Sequence, residues 1–184
     1  VEGNIDPERY EEGHIPGAVR FGWNEDLQDE QQFDVVSPSE FARLLGDHGI
    51  SENTTVVLYG DLYNWFAAYA YWLFTYYGHD DVRLLDGGWR SWTDNSYPTT
   101  AEERTYTPTS YPVPDTNPSI RVDLREVKTA VETSSSSLID VRAPPEYRGN
   151  VLAPPGWNEN VQRGGHIPGA VNVPWSRVVD ENGR

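Results

Sequence analysis

The chain has 184 residues, room for one large domain or one and a half small ones, with a proper core in at least one. Its formal charge is −15, and its 14 basic residues are thirteen arginines and a single lysine, Lys128, which argues against the clustered cations that nucleic acid requires. It contains no cysteine and no methionine, so no disulfide, thiolate metal site or thiol nucleophile lies within it.

An acidic, lysine-poor surface suits a salt-rich cytoplasm, because carboxylates stay hydrated and their repulsion is screened; an ordinary acidic protein is the alternative. No apolar run approaches the roughly 20 residues of a membrane span, and no signal peptide opens the chain, so a cytoplasmic location without membrane partners is expected. The chain opens on Val1 rather than Met, where a strand is expected, and reads as a piece of something longer.

The first notable phrase is Gly13-His14-Ile15-Pro16-Gly17-Ala18-Val19-Arg20. Ser37-Pro38-Ser39-Glu40 then forms a capping box with Pro at the first helical position, and Phe41, Leu44 and Leu45 give the helix an apolar face before Gly46 and Gly49 end it. Thr54 to Tyr59 reads as a strand, Gly60 to Asn64 as a turn-prone loop, and Trp65 to Tyr77 as an aromatic helix stopped by Gly78 and buried on most sides. Val82 to Leu85 is another strand, followed by Asp86-Gly87-Gly88 and a short amphipathic segment carrying Trp89 and Trp92. The order β-α-β-α predicts a parallel sheet.

From Thr93 to Pro118 five prolines among Thr, Ser and Tyr suggest an interdomain linker, with 108–118 as its Pro-rich part. A strand at Ile120 to Val122 and a box from Asp123 to Glu126 open the next unit, with a helix to about Thr133 and a strand from Leu138 to Arg142. A Pro/Gly-rich excursion through Val161 leads to Gly165-His166-Ile167-Pro168-Gly169-Ala170-Val171-Asn172, which repeats the first phrase at seven of eight positions, 152 residues later. That period suits two domains of one fold. The expected organisation is a first domain over 1–107, the linker over 108–118, and the first half of a second domain over 119–184. That half lacks counterparts to the strand, loop, helix and strand of Thr54 to Trp92.

Leu138-Ile139-Asp140-Val141-Arg142 followed by Gly-His-Ile-Pro-Gly-Ala resembles the rhodanese family, and so does Tyr59 with its loop, the helix after it, and Gly78-His79 to Trp89. The resemblance covers nearly the whole chain. It implies an α/β fold of tandem rhodanese-like domains, each a parallel sheet flanked by helices, the second incomplete here. It also implies a thiosulfate sulfurtransferase whose first domain is silent and whose second carries a nucleophilic cysteine. In that family a cysteine thiolate, stabilised by inward-pointing N–H groups of a loop entering a helix, takes sulfur from thiosulfate as a persulfide and passes it to cyanide or a thiol. No cofactor or metal is implied.

Gly60 stands where the first domain would hold that cysteine, and Asp61 places a carboxylate where a cradle would receive an anion. The second domain's equivalent loop would lie beyond Arg184, so no catalytic residue is expected in this chain and the fragment should be inactive alone. Arg142 forms either an ion pair with Asp140 or part of an anion site. The resemblance also implies, from vertebrate-type rhodaneses, a thiosulfate arginine about four residues further on, where Glu146 stands here, leaving Arg142 or Arg148 as substrate-binding candidates, the unseen loop as another source of charge, or a different donor. His14 and His166, at matching places in two turns, read as structural, each imidazole bonding backbone; His79, at a strand entry, and His48, in a loop, are not good candidates for a site. The aromatics from Trp65 to Tyr77 read as core and domain interface, and the excursion from Ala153 to Val161 as a surface loop.

The donor expected is therefore a small sulfur anion, thiosulfate, with 3-mercaptopyruvate as the alternative; the discriminating loop is not in this sequence. A non-catalytic rhodanese-like binding module is the reading from another class. Half a parallel domain leaves open strand edges and a bare apolar face. With Arg184 following Asn182-Gly183 in a turn, a protease nick is expected, the remaining C-terminal segment staying bound noncovalently or pairing from another copy.

Overall fold

The computed structural model describes residues 8–29, 34–154 and 161–180. They fall into two compact units that divide between Arg121 and Val122.

The first unit starts with α1 (Glu8–Glu12), the turn of the first repeated phrase, and an antiparallel pair of two-residue strands, β1 (Gln28–Asp29) and β2 (Asp34–Val35). Helix α2 (Pro38–Asp47) begins at the capping box predicted for it: Ser37 Oγ accepts the Glu40 N–H, and the Glu40 carboxylate accepts the Ser37 N–H. Strand β3 (Val56–Leu58) runs parallel to β4 (Val82–Leu84), Val56 opposite Val82 and Leu58 opposite Leu84. Both strands are shorter than the sequence pattern suggests. Between them lies α3 (Trp65–Tyr76), and after β4 comes α4 (Gly88–Asp94).

Helix α3 is buried along one face. Phe66, Ala67, Ala70, Leu73 and Phe74 turn inward to meet Phe41 and Leu45 of α2 and Val56 and Leu58 of β3 in one core, while Trp65 and Tyr71 are exposed. The expectation of burial on most sides is thus corrected. The spacing of the inward residues is the ordinary three-and-four repeat of an amphipathic helix, hidden in the sequence because the outward positions are aromatic too.

The segment read as a linker is attached to the first unit along its length. Thr100 exchanges two backbone hydrogen bonds with His14, and the Thr109 N–H donates to Gly46 O at 2.9 Å. The Asn117 N–H donates to Tyr76 O at 2.7 Å, and Trp72 Nε1 donates to Ile120 O at 3.3 Å. Arg121 closes the strap on Asp34. The prolines suit such a strap, since it needs few ladder donors. The strand expected at Ile120 to Val122 is instead a single 3₁₀ turn, Pro118–Ile120, capped by Asn117, whose side chain accepts the Ser119 N–H.

The second unit contains α5 (Leu124–Thr133), β5 (Ile139–Asp140), α6 (Pro144–Tyr147) and β6 (Val171–Asn172), with β5 and β6 parallel. Asp123 and Glu126 form the predicted capping box of α5. The helix nevertheless has no buried residue, and Leu124, Ile139 and Val171 stand more than 60% exposed, whereas Val19, the counterpart of Val171 in the first phrase, is 8% exposed. The excursion from Ala153 to Val161 lies mostly outside the described residues, as does the turn ending at Arg184.

Candidate functional site

The repeated phrases build the same clamp in each unit. In the first, the Tyr10 hydroxyl donates to Ala18 O at 2.8 Å, His14 Nδ1 meets Tyr10 O at 2.8 Å, and the two rings stack with centroids 3.8 Å apart. In the second, Tyr147 donates to Ala170 O at 2.8 Å, His166 Nδ1 meets Tyr147 O at 2.8 Å, and those rings also stack at 3.8 Å. His14 and His166 are therefore structural, joining a short helix to the following turn. His79 is buried between Tyr111 Oη and Thr54 O, and His48 returns to Leu44 O within its own helix end.

Beyond the carboxyl end of β5, Arg142 folds back on Asp140. Its Nε and Nη2 reach the Asp140 carboxylate at 3.1 and 2.6 Å, its backbone N–H donates to the same carboxylate at 3.0 Å, and Nη2 also donates to Gly165 O at 2.7 Å. The guanidinium, with the Arg142 N–H, holds the Asp140 carboxyl below its usual range despite partial burial. Arg142 thus ties the β5 end to the loop entering the second phrase. Glu146 is buried and caps α6 by accepting the Ala143 N–H at 3.2 Å. Arg148 ends α6, its backbone N–H donating to Pro144 O at 3.0 Å and its side chain exposed.

In the first unit Gly60 follows β3 at the mouth of a cleft of about 410 Å³ lined by Arg9, Asp61, Tyr63, Trp89 and Arg90 among others. The loop is locked from within. Asn64 Oδ1 accepts the Gly60 N–H at 3.0 Å, Asn64 Nδ2 donates to Leu85 O at 2.7 Å, and Gly60 O accepts the Trp89 N–H at 3.0 Å. Leu62, Tyr63 and Asn64 all have positive φ, a conformation that non-glycine residues rarely adopt in succession. The Gly60 N–H is thus committed to Asn64 rather than turned to an incoming anion, and Gly60 has no side-chain nucleophile to offer.

Asn64 and Asn172 escaped the sequence reading, although both organise these strand ends. An asparagine in a loop carries little signal. For Asn172 one clue existed: it is the sole position at which the two phrases differ, Arg20 standing there in the first.

The model of the rhodanese-like domain matches residues 5–95 and 123–183. The chain belongs to the rhodanese family. A relative from Haloferax volcanii named "Putative thiosulfate sulfurtransferase" is 49% identical over 183 residues, all of this chain and 64% of the relative. "Sulfur carrier protein TtuD" of Thermus thermophilus is 46% identical over 178 residues, 95% of this chain and 62% of that protein. The chain therefore spans a little under two thirds of the length of these curated relatives. Among solved structures, a cysteine-to-serine variant of EanB in complex with hercynine aligns with a TM-score of 0.82 at 28% identity, covering 99% of this chain and 47% of that one. An anaerobic ergothioneine biosynthesis enzyme from Chlorobium limicola, bound to its natural substrate trimethyl histidine, gives 0.81 at 29% identity, covering 99% and 48%. The fold is accordingly the rhodanese-like α/β fold, with parallel strand pairs in both units.

Proposed function

We propose that this chain is the larger part of a tandem rhodanese that moves sulfane sulfur from thiosulfate to a thiol or cyanide. In this reading the first unit is a silent partner and the nucleophilic cysteine of the second lies in sequence outside these 184 residues. The observation that carries the proposal is the identity with the Haloferax volcanii relative along the entire chain. The silence of the first unit is supported by Gly60 and by the commitment of its N–H to Asn64.

The chemistry is a pair of displacements. A cysteine thiolate attacks the outer sulfur of thiosulfate, the sulfur–sulfur bond breaks, and sulfite leaves with the bonding electrons. The acceptor then attacks the terminal persulfide sulfur, producing thiocyanate from cyanide and returning the thiolate. Arg142 and the exposed Arg148 are cations this chain brings to the stretch just beyond β5, where the anion is proposed to bind. Because Arg142 is already engaged by Asp140, its part is to fix the strand end, leaving Arg148 the freer to meet the anion.

The bare apolar positions Leu124, Ile139 and Val171 support completion of the second unit by a further segment, which we propose a nicked protein would hold noncovalently. Denaturing intact mass with native size exclusion tests this: a companion peptide of about 10 kDa is expected, the size that completes a typical domain. A lone, monomeric and folded chain would overturn it. For activity, the 184-residue chain alone is expected to turn over no thiosulfate. The same chain completed with the part of the Haloferax volcanii relative that it does not match should form thiocyanate and lose that activity when its cysteine becomes serine. Turnover by the chain alone, or none by the completed protein, would overturn the sulfurtransferase reading.

A further inference from the structure

We infer that Asn172 is a positioning residue that fixes the carboxyl end of β5, and with it Arg142, for the anion binding proposed above. The inference rests on the sulfurtransferase reading above. Three observations carry it.

The first is the contrast between the repeats. The two phrases are identical for seven residues and differ only in the eighth, Arg20 against Asn172. Arg20 points to a partly exposed ion pair with Glu25 at 3.2 Å, whereas Asn172 turns into its sheet.

The second is the pattern of its hydrogen bonds. Asn172 sits opposite Asp140 in the parallel register, and its Nδ2 donates to Asp140 O at 3.0 Å and to Arg142 O at 2.9 Å. Both acceptors are carbonyls, so the side-chain nitrogen must face them, and its two hydrogens are both used. One side chain thereby fastens the main chain on either side of Val141. Aspartate, of nearly the same shape, would present oxygen to both carbonyls.

The third is what that main chain carries. Arg142 reaches the Asp140 carboxylate through its N–H, Nε and Nη2, and Gly165 O through Nη2. The side-chain links of Asp140 and Arg142 are thus anchored at both ends to peptide units that Asn172 holds. In open parallel sheets, ligands bind beyond the carboxyl ends of the strands, which is where this anchored pair stands. The first unit, silent in this reading, has no such amide at the matching position.

Hydrogen exchange at the Arg142 amide of the protein completed as above reads the positioning directly. Asn172→Ala is expected to speed that exchange by about fivefold to tenfold, the equivalent of a lost hydrogen bond. Asn172→Asp should do more. Tyr147→Phe, which removes the bond to Ala170 O in the same unit, controls for general loosening and should change Arg142 exchange less than about twofold. In the protein completed as above, Asn172→Ala should raise the KM for thiosulfate about tenfold with kcat held within about twofold, a split that Tyr147→Phe does not produce. Unchanged Arg142 exchange, an unchanged KM, or the same KM rise in Tyr147→Phe would each overturn the inference. A completed parent protein that forms no thiocyanate would instead overturn the sulfurtransferase reading, while the exchange data would still decide whether Asn172 holds β5.

Discussion

Tyr77, at the end of α3, is 2% exposed, and its hydroxyl donates to Val36 O across the core of the first unit. Burial pushes this phenol up to about 12, with Tyr76 beside it adding to the effect. A raised folded-state value favours the neutral form, so the stability it contributes is present below the ordinary tyrosine value near 10 and lost as pH rises through about 12. Tyr77→Phe should cost about 1 kcal/mol at neutral pH through the lost hydrogen bond, yet move alkaline unfolding to higher pH. Tryptophan fluorescence followed against pH checks this, and an unmoved alkaline midpoint would refute it. Asp140 works with the opposite sign: Arg142 lowers its carboxyl, so its contribution is present above about 4 and disappears as pH falls below the ordinary carboxylate value. Asp140→Asn should cost about 1–2 kcal/mol at neutral pH and flatten the acid limb for the second unit, read from urea midpoints of the Ala170 and Val171 resonances. The pair itself was legible because Asp-Val-Arg at a strand end leaves the two side chains on one face of the strand. Asn64 was not legible, and Asn172 only as the one difference between the two phrases, since the carbonyls they reach, Leu85 O for the first and Asp140 O and Arg142 O for the second, are set by the tertiary fold.

Where strand, loop and helix meet in the first unit, one glycine makes the junction possible. Gly88 opens α4 with φ of +56°, and a Cβ there would lie 2.4 Å from Asn64 Oδ1 and 2.8 Å from Gly60 O. Gly88→Ala must therefore break the Asn64 clamp or shift α4, and a loss of about 2–4 kcal/mol is expected in denaturant unfolding, from strain together with buried groups left without partners. Gly78→Ala is the comparison, since Gly78 also has positive φ, +68°, but open space around its Cβ, so its cost should be near 1 kcal/mol. Equal losses in the two variants would show that the clamp contributes nothing. At this scale the sequence spoke clearly wherever a signal is local: both capping boxes lie where Ser37 and Asp123 announce them, and α5 ends at Thr133 as read. It misled where tertiary hydrogen bonds decide. The proline-rich stretch has the composition of a linker, and contacts such as Thr109 on Gly46, Tyr111 on His79 and Asn117 on Tyr76 make it a strap.

A charge of −15 over 184 residues gives the entire molecule a self-repulsion that individual contacts do little to offset. The ion pairs are short-range and mostly exposed, as in Arg43 with Asp47 at 3.0 Å and Arg90 with Asp94 at 3.5 Å, and such pairs contribute little each. Screening shrinks from about 10 Å at 0.1 M salt to about 3 Å at 1 M, so added potassium chloride removes long-range repulsion before it weakens contacts at 3 Å. The thermal midpoint should therefore rise by several degrees as salt increases and level off near 1 M, where the screening length matches the spacing of the closest pairs. A rise that continues linearly beyond that point would indicate a general salting effect on apolar surface instead. The source of the repulsion can be varied independently. Helix α1 carries Glu8, Glu11 and Glu12 on exposed positions, neighbours at three and four residues, where like charges oppose one another. Converting all three to glutamine should raise the midpoint at low salt and leave it nearly unchanged at 1 M, so that the variant's salt response is shallower than the parent's. Parallel salt curves for the two proteins would mean that the acidic surface does not set this chain's stability.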